Sequence, residues 1–264
     1  LIKDITIPVI TINSPENSTY YSDPPSMDII MSDFNPDTIW YIAMGTKVIL
    51  SGEETFDLSI WNSLGQGEFQ IYIFANDSAG NLNDSIILTL YKDTVAPLVT
   101  VNLPLNNTCW NSPPIFNVGA YDPKYFSISY QVVGRPQRFL LNNTDEPLLI
   151  IDWLNLTEGI FFVDIFAEDS LGNINDSIRL MLYKDTVEPE IDIILPQPND
   201  IYGELAPNFT ISVIEDHLNT TWYVLIGNST IIPFTDFDGT IDQTMWDLFG
   251  NGTVTIRFYA NDSA

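Results

Sequence analysis

Phe74-Ala-Asn-Asp-Ser-Ala-Gly-Asn-Leu-Asn-Asp-Ser-Ile86 returns 92 residues later, nearly unchanged, as Phe166-Ala-Glu-Asp-Ser-Leu-Gly-Asn-Ile-Asn-Asp-Ser-Ile178, and a third copy opens at Tyr259-Ala-Asn-Asp-Ser-Ala264. Self-similarity at a fixed period marks an array of one structural unit. The repetition extends outward from this stretch. Lys92-Asp-Thr-Val-Ala-Pro97 recurs as Lys184-Asp-Thr-Val-Glu-Pro189, with a weaker Lys3-Asp-Ile-Thr-Ile-Pro8 at the start. Pro15, Pro104 and Pro196 correspond, as do Gly45, Gly134 and Gly227, and Trp61, Trp153 and Trp246. Boundaries near Lys92 and Lys184 follow. They give repeats at 1–91, 92–183 and 184–264, the last without its final strand. A repeat of about 90 residues has the size of a small domain.

The copies serve as an alignment of the chain with itself. Before the shared motif, Phe69, Ile71, Ile73 and Ala75 become Phe161, Val163, Ile165 and Ala167, then Val254, Ile256, Phe258 and Ala260, all apolar. Between them Tyr72 becomes Asp164 and then Arg257. One fixed face and one free face, alternating with period two, predict a strand packed on a core. Similar runs lie at Thr38–Met44, Ser127–Val133 and Thr221–Ile226, with turn residues every 8–12 positions or so. No amphipathic helix is evident. The prediction is all-β: tandem immunoglobulin-like β-sandwiches in a linear array. The recurring tryptophans are expected in the core, although carbohydrate stacking is the functional alternative.

The chain carries 35 acidic and 9 basic residues, a formal net charge of −26. That excludes nucleic acid and anionic membrane as partners, since both need Lys and Arg. A hydrophobic content of 45% argues against disorder. No stretch is long and apolar enough to predict a transmembrane segment. The start, Leu1-Ile-Lys-Asp4, matches the end of a repeat, and the sequence stops inside a motif, which predicts a window of a longer protein. Were Ala264 the true end, the third repeat would offer an open sheet edge to a strand of a neighbouring chain.

Asn-x-Ser/Thr triplets begin at Asn17, Asn76, Asn83, Asn106, Asn142, Asn155, Asn175, Asn208, Asn219, Asn228, Asn251 and Asn261. Chance would supply about 3–4. The excess predicts covalent N-glycans and an extracellular, cell-surface location. The alternative is that Asn, Ser and Thr are favoured in turns. Cys109 is the only cysteine, so no internal disulfide exists and the cores must supply stability. It aligns with Tyr20 and is expected to fill space.

Catalytic chemistry finds no support. His217 is the only histidine, and it falls in a turn equivalent to Asp33-Phe-Asn-Pro36 and Asp122-Pro-Lys-Tyr125. Zinc spacing, a Ser–His–Asp set, a phosphate loop and a nucleophile elbow are all lacking. Asp236-Phe-Asp-Gly239 resembles part of a calcium loop but is expected to be a hairpin turn. The prediction is no enzyme and no cofactor-binding residues. The fixed acids are different. Asp77, Asp169 and Asp262 recur in the shared motif, and Asp93 and Asp185 at the repeat junctions. Asx-turn chemistry explains them, with Gly80 or Gly172 supplying a positive φ. Calcium at the junctions, held by a loop carboxylate and a junction carboxylate, is the alternative.

The Ala-x-Asp-Ser-x-Gly-Asn motif, followed by Lys-Asp-Thr-Val-x-Pro, resembles the immunoglobulin-like repeats of large prokaryotic, especially archaeal, surface proteins. The resemblance implies a stalk, filament, adhesin or surface-layer component. Its partners would be other copies of itself or other surface proteins. The pattern is also similar to cadherin-like repeats, which would implicate Asp77, Asp93, Asp169 and Asp185 in calcium binding. Here, however, Asp93 and Asp185 each stand alone in their linkers. Those linkers lack Gly and Ser, and Pro97 and Pro189 favour an extended path, which predicts a stiff rod. The expected role is therefore structural. The alternatives are an adhesin for surface glycan or protein, with Tyr121, Tyr125, Phe126 and Tyr130 as its nearest aromatic surface, or accessory domains of a secreted hydrolase.

Overall fold

The computed structural model describes residues 2–124, 126–141 and 145–264. Strands occupy most of the alternating runs. The first eight are β1 (Val9–Ser14), β2 (Tyr20–Tyr21), β3 (Ser26–Ser32), β4 (Pro36–Ala43), β5 (Thr46–Leu50), β6 (Glu54–Thr55), β7 (Gly67–Asp77) and β8 (Leu82–Lys92). The next eight are β9 (Leu98–Leu103), β10 (Cys109–Trp110), β11 (Ile115–Tyr121), β12 (Phe126–Val132), β13 (Phe139–Leu141), β14 (Glu146–Pro147), β15 (Gly159–Asp169) and β16 (Ile174–Lys184). The last are β17 (Glu190–Leu195), β18 (Asn208–Ile214), β19 (Leu218–Leu225), β20 (Ile232–Phe234), β21 (Asp238–Thr240) and β22 (Ile256–Asp262).

The chain divides into two compact units. One comprises residues 1–100 with Gly119–Ser129 and Phe166–Ile178; the other comprises Val101–Val118, Tyr130–Ile165 and Arg179–Ala264. In the first unit, β1–β8 form sheets ordered β2-β8-β7-β4-β5 and β1-β3-β6. Met27 and Ile29 of one sheet meet Tyr41, Ile71, Ile73, Leu88 and Leu90 of the other in a single core. This is an immunoglobulin-like sandwich. The short β2 lies parallel to the end of β8, with Tyr20 opposite Tyr91. Strands β9–β16 repeat the order as β10-β16-β15-β12-β13 and β14-β11-β9. In the second unit, β17-β18-β21 and β20-β19-β22 enclose Phe209, Ile211, Tyr223, Leu225 and Ile241.

The fixed face behaves as its alternation predicts. Phe69, Ile71, Ile73 and Ala75 are buried, as are Phe161, Val163, Ile165 and Ala167. Their third-copy counterparts, Val254, Ile256, Phe258 and Ala260, are only half-buried. The cause is pairing: β22 pairs with β19 alone, whereas β7 has a strand on each side.

Short helices interrupt the strands, although the sequence shows no amphipathic helix. One short helix occurs after each sixth strand of the pattern: α1 (Leu58–Ser63), α2 (Ile150–Leu154) and α3 (Gln243–Trp246). At six residues or fewer they are too short to show a 3.6-residue period. Capping starts them instead. Asp57 Oδ1 accepts from the Ile60 N–H at 2.9 Å and Asp242 Oδ1 from the Met245 N–H at 2.9 Å. A core tyrosine fixes each entry, because Tyr41, Tyr130 and Tyr223 Oη accept the N–H groups of Asp57 (2.9 Å), Leu149 (3.0 Å) and Asp242 (2.7 Å). The helices carry the recurring tryptophans. Trp61 and Trp153 are buried and Trp246 is half-buried. The recurring lysine closes the helix end: Lys92 Nζ donates to Trp61 O (2.8 Å) and Leu64 O (3.1 Å), and Lys184 Nζ to Leu156 O (2.8 Å). A cation beside the last carbonyls of a helix is favourable.

Asp236-Phe-Asp-Gly239 is not a hairpin. It links β20 to β21, which belong to different sheets, so it is a crossover between the layers. A Cβ at Gly239 would come within 2.7 Å of the Phe209 ring, so close packing selects the glycine. Cys109 is half-buried on β10, its thiol pushed up by burial and then by Asp185, Asp262 and Glu215. Among the described residues no helix is long and apolar enough to cross a membrane.

Candidate functional site

Three positions in every repeat carry an acid, and each is fixed by a different element. The linker before the first strand supplies Asp4, Asp93 or Asp185. Its Oδ1 accepts an N–H two residues on, from Thr6 (2.9 Å), Val95 (3.3 Å) and Val187 (3.3 Å). The turn leading into β4, β12 or β19 supplies Asp33, Asp122 or Glu215. Each accepts the N–H of the residue two on, from Asn35 (2.9 Å), Lys124 (2.8 Å) and His217 (2.9 Å). These are Asx-type turns, a local reason for an acid at that point.

The end of β7, β15 or β22 supplies Asp77, Asp169 or Asp262. Asp77 Oδ1 accepts from Ala79 N–H (3.0 Å) and Asn81 N–H (2.7 Å), and its Oδ2 from Asn81 Nδ2 (2.7 Å). Asp169 is held likewise by Leu171 and Asn173. The positive φ predicted for Gly80 and Gly172 is present, at 90° and 88°.

The fold gathers these acids into three triads: Asp4/Asp33/Asp77, Asp93/Asp122/Asp169 and Asp185/Glu215/Asp262. Within each, one carboxylate oxygen per residue lies within 4.8 Å of the others. All of the first two triads lies in the first compact unit and all of the third in the second. The sequence leaves open which loop acid each junction acid meets. Asp77 and Asp93 are separated by the eleven-residue strand β8, about 36 Å of extended chain. Asp93 instead meets Asp169, the loop acid of the repeat it leads into.

Neighbouring amides pin the linker at the same place. Asn173 Nδ2 donates to Asp93 O (3.1 Å) and Asn175 Nδ2 to Pro97 O (3.0 Å). Asn81 to Asp4 O (3.3 Å) and Asn83 to Pro8 O (2.9 Å) are the counterparts. The linker N–H groups point back to the preceding strands, Asp93 to Tyr21 O and Asp185 to Trp110 O, both at 3.0 Å.

The electrostatics of the second and third triads are unfavourable without a cation. Asp93 is 4% exposed and Asp185 8% exposed, yet Oδ2 of each has no hydrogen-bond partner among the described residues. Burial pushes the Asp93 carboxyl up, and the charges of Asp122 and Asp169 push it further. Burial does the same at Asp185, with Glu215 and Asp262 adding to it. Burial also pushes Asp77 up, but hydrogen bonds from Asn81, Ala79 and Gly80 outweigh this and hold it below the ordinary value. The second and third sites therefore pair a buried, underbonded linker carboxylate with two held by turns, whereas Asp4 of the first is half-buried.

The donor set tests which ion fits. All donors are carboxylate oxygens, which suits a hard divalent cation. Calcium–oxygen distances of about 2.3–2.6 Å place ligands on opposite sides of one ion up to about 5 Å apart. Carboxylate oxygens no more than 4.8 Å apart lie within that reach.

Other expected features are dispersed. Tyr130 is a core residue and Tyr121 is 76% exposed, so they do not share one aromatic surface; Tyr125 lies outside the described residues. His217 occupies its turn with its ring edge-on to Tyr183 at 5.2 Å. Of the triplet asparagines, Asn17, Asn106, Asn155, Asn208, Asn219, Asn251 and Asn261 are exposed. Asn76, Asn83, Asn175 and Asn228 are half-buried, and Asn142 lies outside the described residues. Sequence reasoning missed Asp4, Asp33, Asp122 and Glu215 as companions of the named acids. The available signal was an acid at the same turn position in all three copies.

No known family profile matches the chain, and no curated protein matches its sequence. Similar solved structures include the fibronectin(III)-like modules of Clostridium thermocellum CbhA, at 12% identity and TM-score 0.34, covering 67% of this chain and 94% of that one. The FN1–FN3 domains of chicken CNTN1 are similar at 12% identity and TM-score 0.35, covering 96% and 92%. A structure concerned with host cell surface retention of a 1.5-MDa bacterial ice-binding adhesin is similar at 9% identity and TM-score 0.39, covering 98% of each chain. The likeness is one of β-sandwich fold.

Proposed function

We propose that this chain is a structural segment of an extracellular cell-surface protein. It serves as a glycosylated rod, stalk, filament or surface-layer component of archaeal type, and calcium at the three acidic triads locks each linker to the repeat it enters. The supporting observation is the recurrence of one acidic triad in all three repeats, in two of which a buried linker carboxylate oxygen without a donor lies beside two further carboxylates. When bound, the ion supplies positive charge and a common point of coordination for linker, turn and loop. Asp4, Asp93 and Asp185 bring the linker; the other acids bring the tip of the repeat; Asn81 and Asn173 orient both. The charge of −26 suits a molecule that works with cations present.

Calorimetric titration of the chelated protein with calcium tests this, paired with small-angle scattering in calcium and in EGTA. Three ions bound per chain, one per triad, together with a broader spread of conformations in EGTA, are expected. Absence of binding heat with identical scattering curves in both buffers would end the proposal.

A further inference from the structure

The twelve Asn-x-Ser/Thr triplets form two chemical groups. Asn76, Asn83, Asn175 and Asn261 lie in the shared motif and begin Asn-Asp-Ser; the remaining eight have Thr at the third position. N-glycosylation makes the side-chain Nδ2 a nucleophile. An Nδ2–C1 bond to the sugar forms and the C1–O bond to a lipid-linked phosphate donor breaks. The phosphate leaves with the electron pair, and Nδ2 loses one proton. A transferase acting on this chain therefore needs an Nδ2 that the fold has not committed.

Asn83 and Asn175 fail that requirement in the same way. Each is half-buried, with Nδ2 donating to a linker carbonyl, Pro8 O at 2.9 Å and Pro97 O at 3.0 Å. Each Oδ1 accepts both the N–H and the hydroxyl of the serine two residues on: 3.2 and 3.0 Å from Ser85, 3.2 and 2.8 Å from Ser177. The triplet is thus complete as a structural device: the amide staples the linker and the serine orients the amide. A turn that uses both ends of Asn-x-Ser accounts for the recurrence of the pattern without any sugar.

Asn17 and Asn106 present the opposite case. They occupy equivalent exposed turns, next to Ser18 at φ 61° and Asn107 at φ 64°. Their Oδ1 atoms accept from Thr89 N–H at 2.8 Å and Met181 N–H at 2.7 Å. That bond fixes the amide by its oxygen and leaves Nδ2 uncommitted among the described residues. Thr19 and Thr108 complete the triplets.

We infer that Asn17 and Asn106 are glycan acceptors, and that Asn83 and Asn175, although they carry the same triplet, stay bare as linker staples. This rests on the glycoprotein part of the proposed function. The test is site-resolved glycopeptide mass spectrometry on the protein purified from its own cells, with variants expressed there. Expected are sugar on the Asn17 and Asn106 peptides and none on the Asn83 and Asn175 peptides. Thr19→Ala and Thr108→Ala should each remove one glycan, whereas Ser85→Ala and Ser177→Ala should leave the total sugar mass unchanged. Asn175→Ala should lower the melting temperature without changing the sugar mass. Sugar on Asn83 or Asn175 overturns the inference, as does sugar confined to other triplets. If every triplet is bare, the glycoprotein reading falls with it.

Discussion

Asp93→Asn should stabilise the chelated protein and destabilise the calcium-loaded one. In the second triad the Asp93 carboxylate has those of Asp122 and Asp169 within 4.8 Å. At an effective dielectric of about 20, one such pair repels by roughly 3 kcal/mol. Asp122 is partly exposed, and solvent screening cuts the net relief from neutralising Asp93 to about 1–2 kcal/mol. With calcium present the sign reverses. An ion at a hundred times its dissociation constant contributes about 2.7 kcal/mol, and loss of one anionic ligand removes much of that. For a repeat of this size, each kcal/mol moves the melting temperature by about 4–8 °C. The assay is thermal unfolding of both proteins at pH 7, in EGTA and in excess calcium, at matched ionic strength so that screening is constant. The wild-type and variant curves should cross over between the two buffers. A variant that shifts the same way in both, or a wild type indifferent to calcium, would refute the reasoning.

Acidification should also act with opposite signs in the two buffers. Asp93 and Asp185 lie above their ordinary value of 3.8, so their stabilising contribution is complete below that value and is lost as pH rises through the raised folded value. Lowering the pH towards that window should raise the melting temperature in EGTA. In calcium it should lower it, because protons displace the ion; Asp77, depressed below 3.8, loses its contribution only at still lower pH. Lys92→Met strips the cation from the Trp61 and Leu64 carbonyls and should cost about 2–3 kcal/mol in urea unfolding. Tyr41→Phe leaves the Asp57 N–H without its acceptor; equilibrium denaturation should show a loss of about 1–2 kcal/mol, with calcium affinity unchanged.

How much was legible in the sequence depends on how far each feature reaches along the chain. Phe69, Ile71, Ile73 and Ala75 announced their strand because burial of one sheet face imposes period two on neighbouring residues. Lys92 was visible as a fixed residue, but its partners are the carbonyls of a helix too short to register, so its purpose was hidden. The acids show the limit most clearly. Asp33, Asp122 and Glu215 fall in one aligned position, yet an acid two residues before a bonded N–H already has a sufficient local explanation as a turn. Only the sandwich, by placing the turn before β4, the tip after β7 and the incoming linker at one end, brings Asp4, Asp33 and Asp77 together. Sequence spacing alone does not choose the partner of Asp93: Asp77 and Asp93 flank one strand and so lie at its opposite ends. The triplets at Asn83 and Asn175 were ambiguous in principle, since a turn and a glycan acceptor need the same atoms.

The linker is where the proposed cation would act. Residues 93–97 bury only Asp93 and Pro97, and Val95 is 53% exposed, so little apolar surface anchors them. Fixing five residues costs about 1–2 kcal/mol each in backbone entropy, about 5–10 kcal/mol together. Against this stand bonds from Asp93 to Tyr21, from Asn173 to Asp93, from Asn175 to Pro97 and from Thr94 to Gln66, each about 1 kcal/mol net. Burying the Asp93 carboxylate without a donor for Oδ2 subtracts from that sum. Hydrogen bonds alone therefore leave the linker marginal, and the acid that weakens it most is the one the repeats retain. Were calcium bound, it would contribute about 3 kcal/mol and turn the same carboxylate from a liability into a ligand. On the calcium proposal, a linker of this composition would be a loose tether when chelated and a fixed joint when loaded, while the cores around Tyr41 and Tyr223 would persist in both.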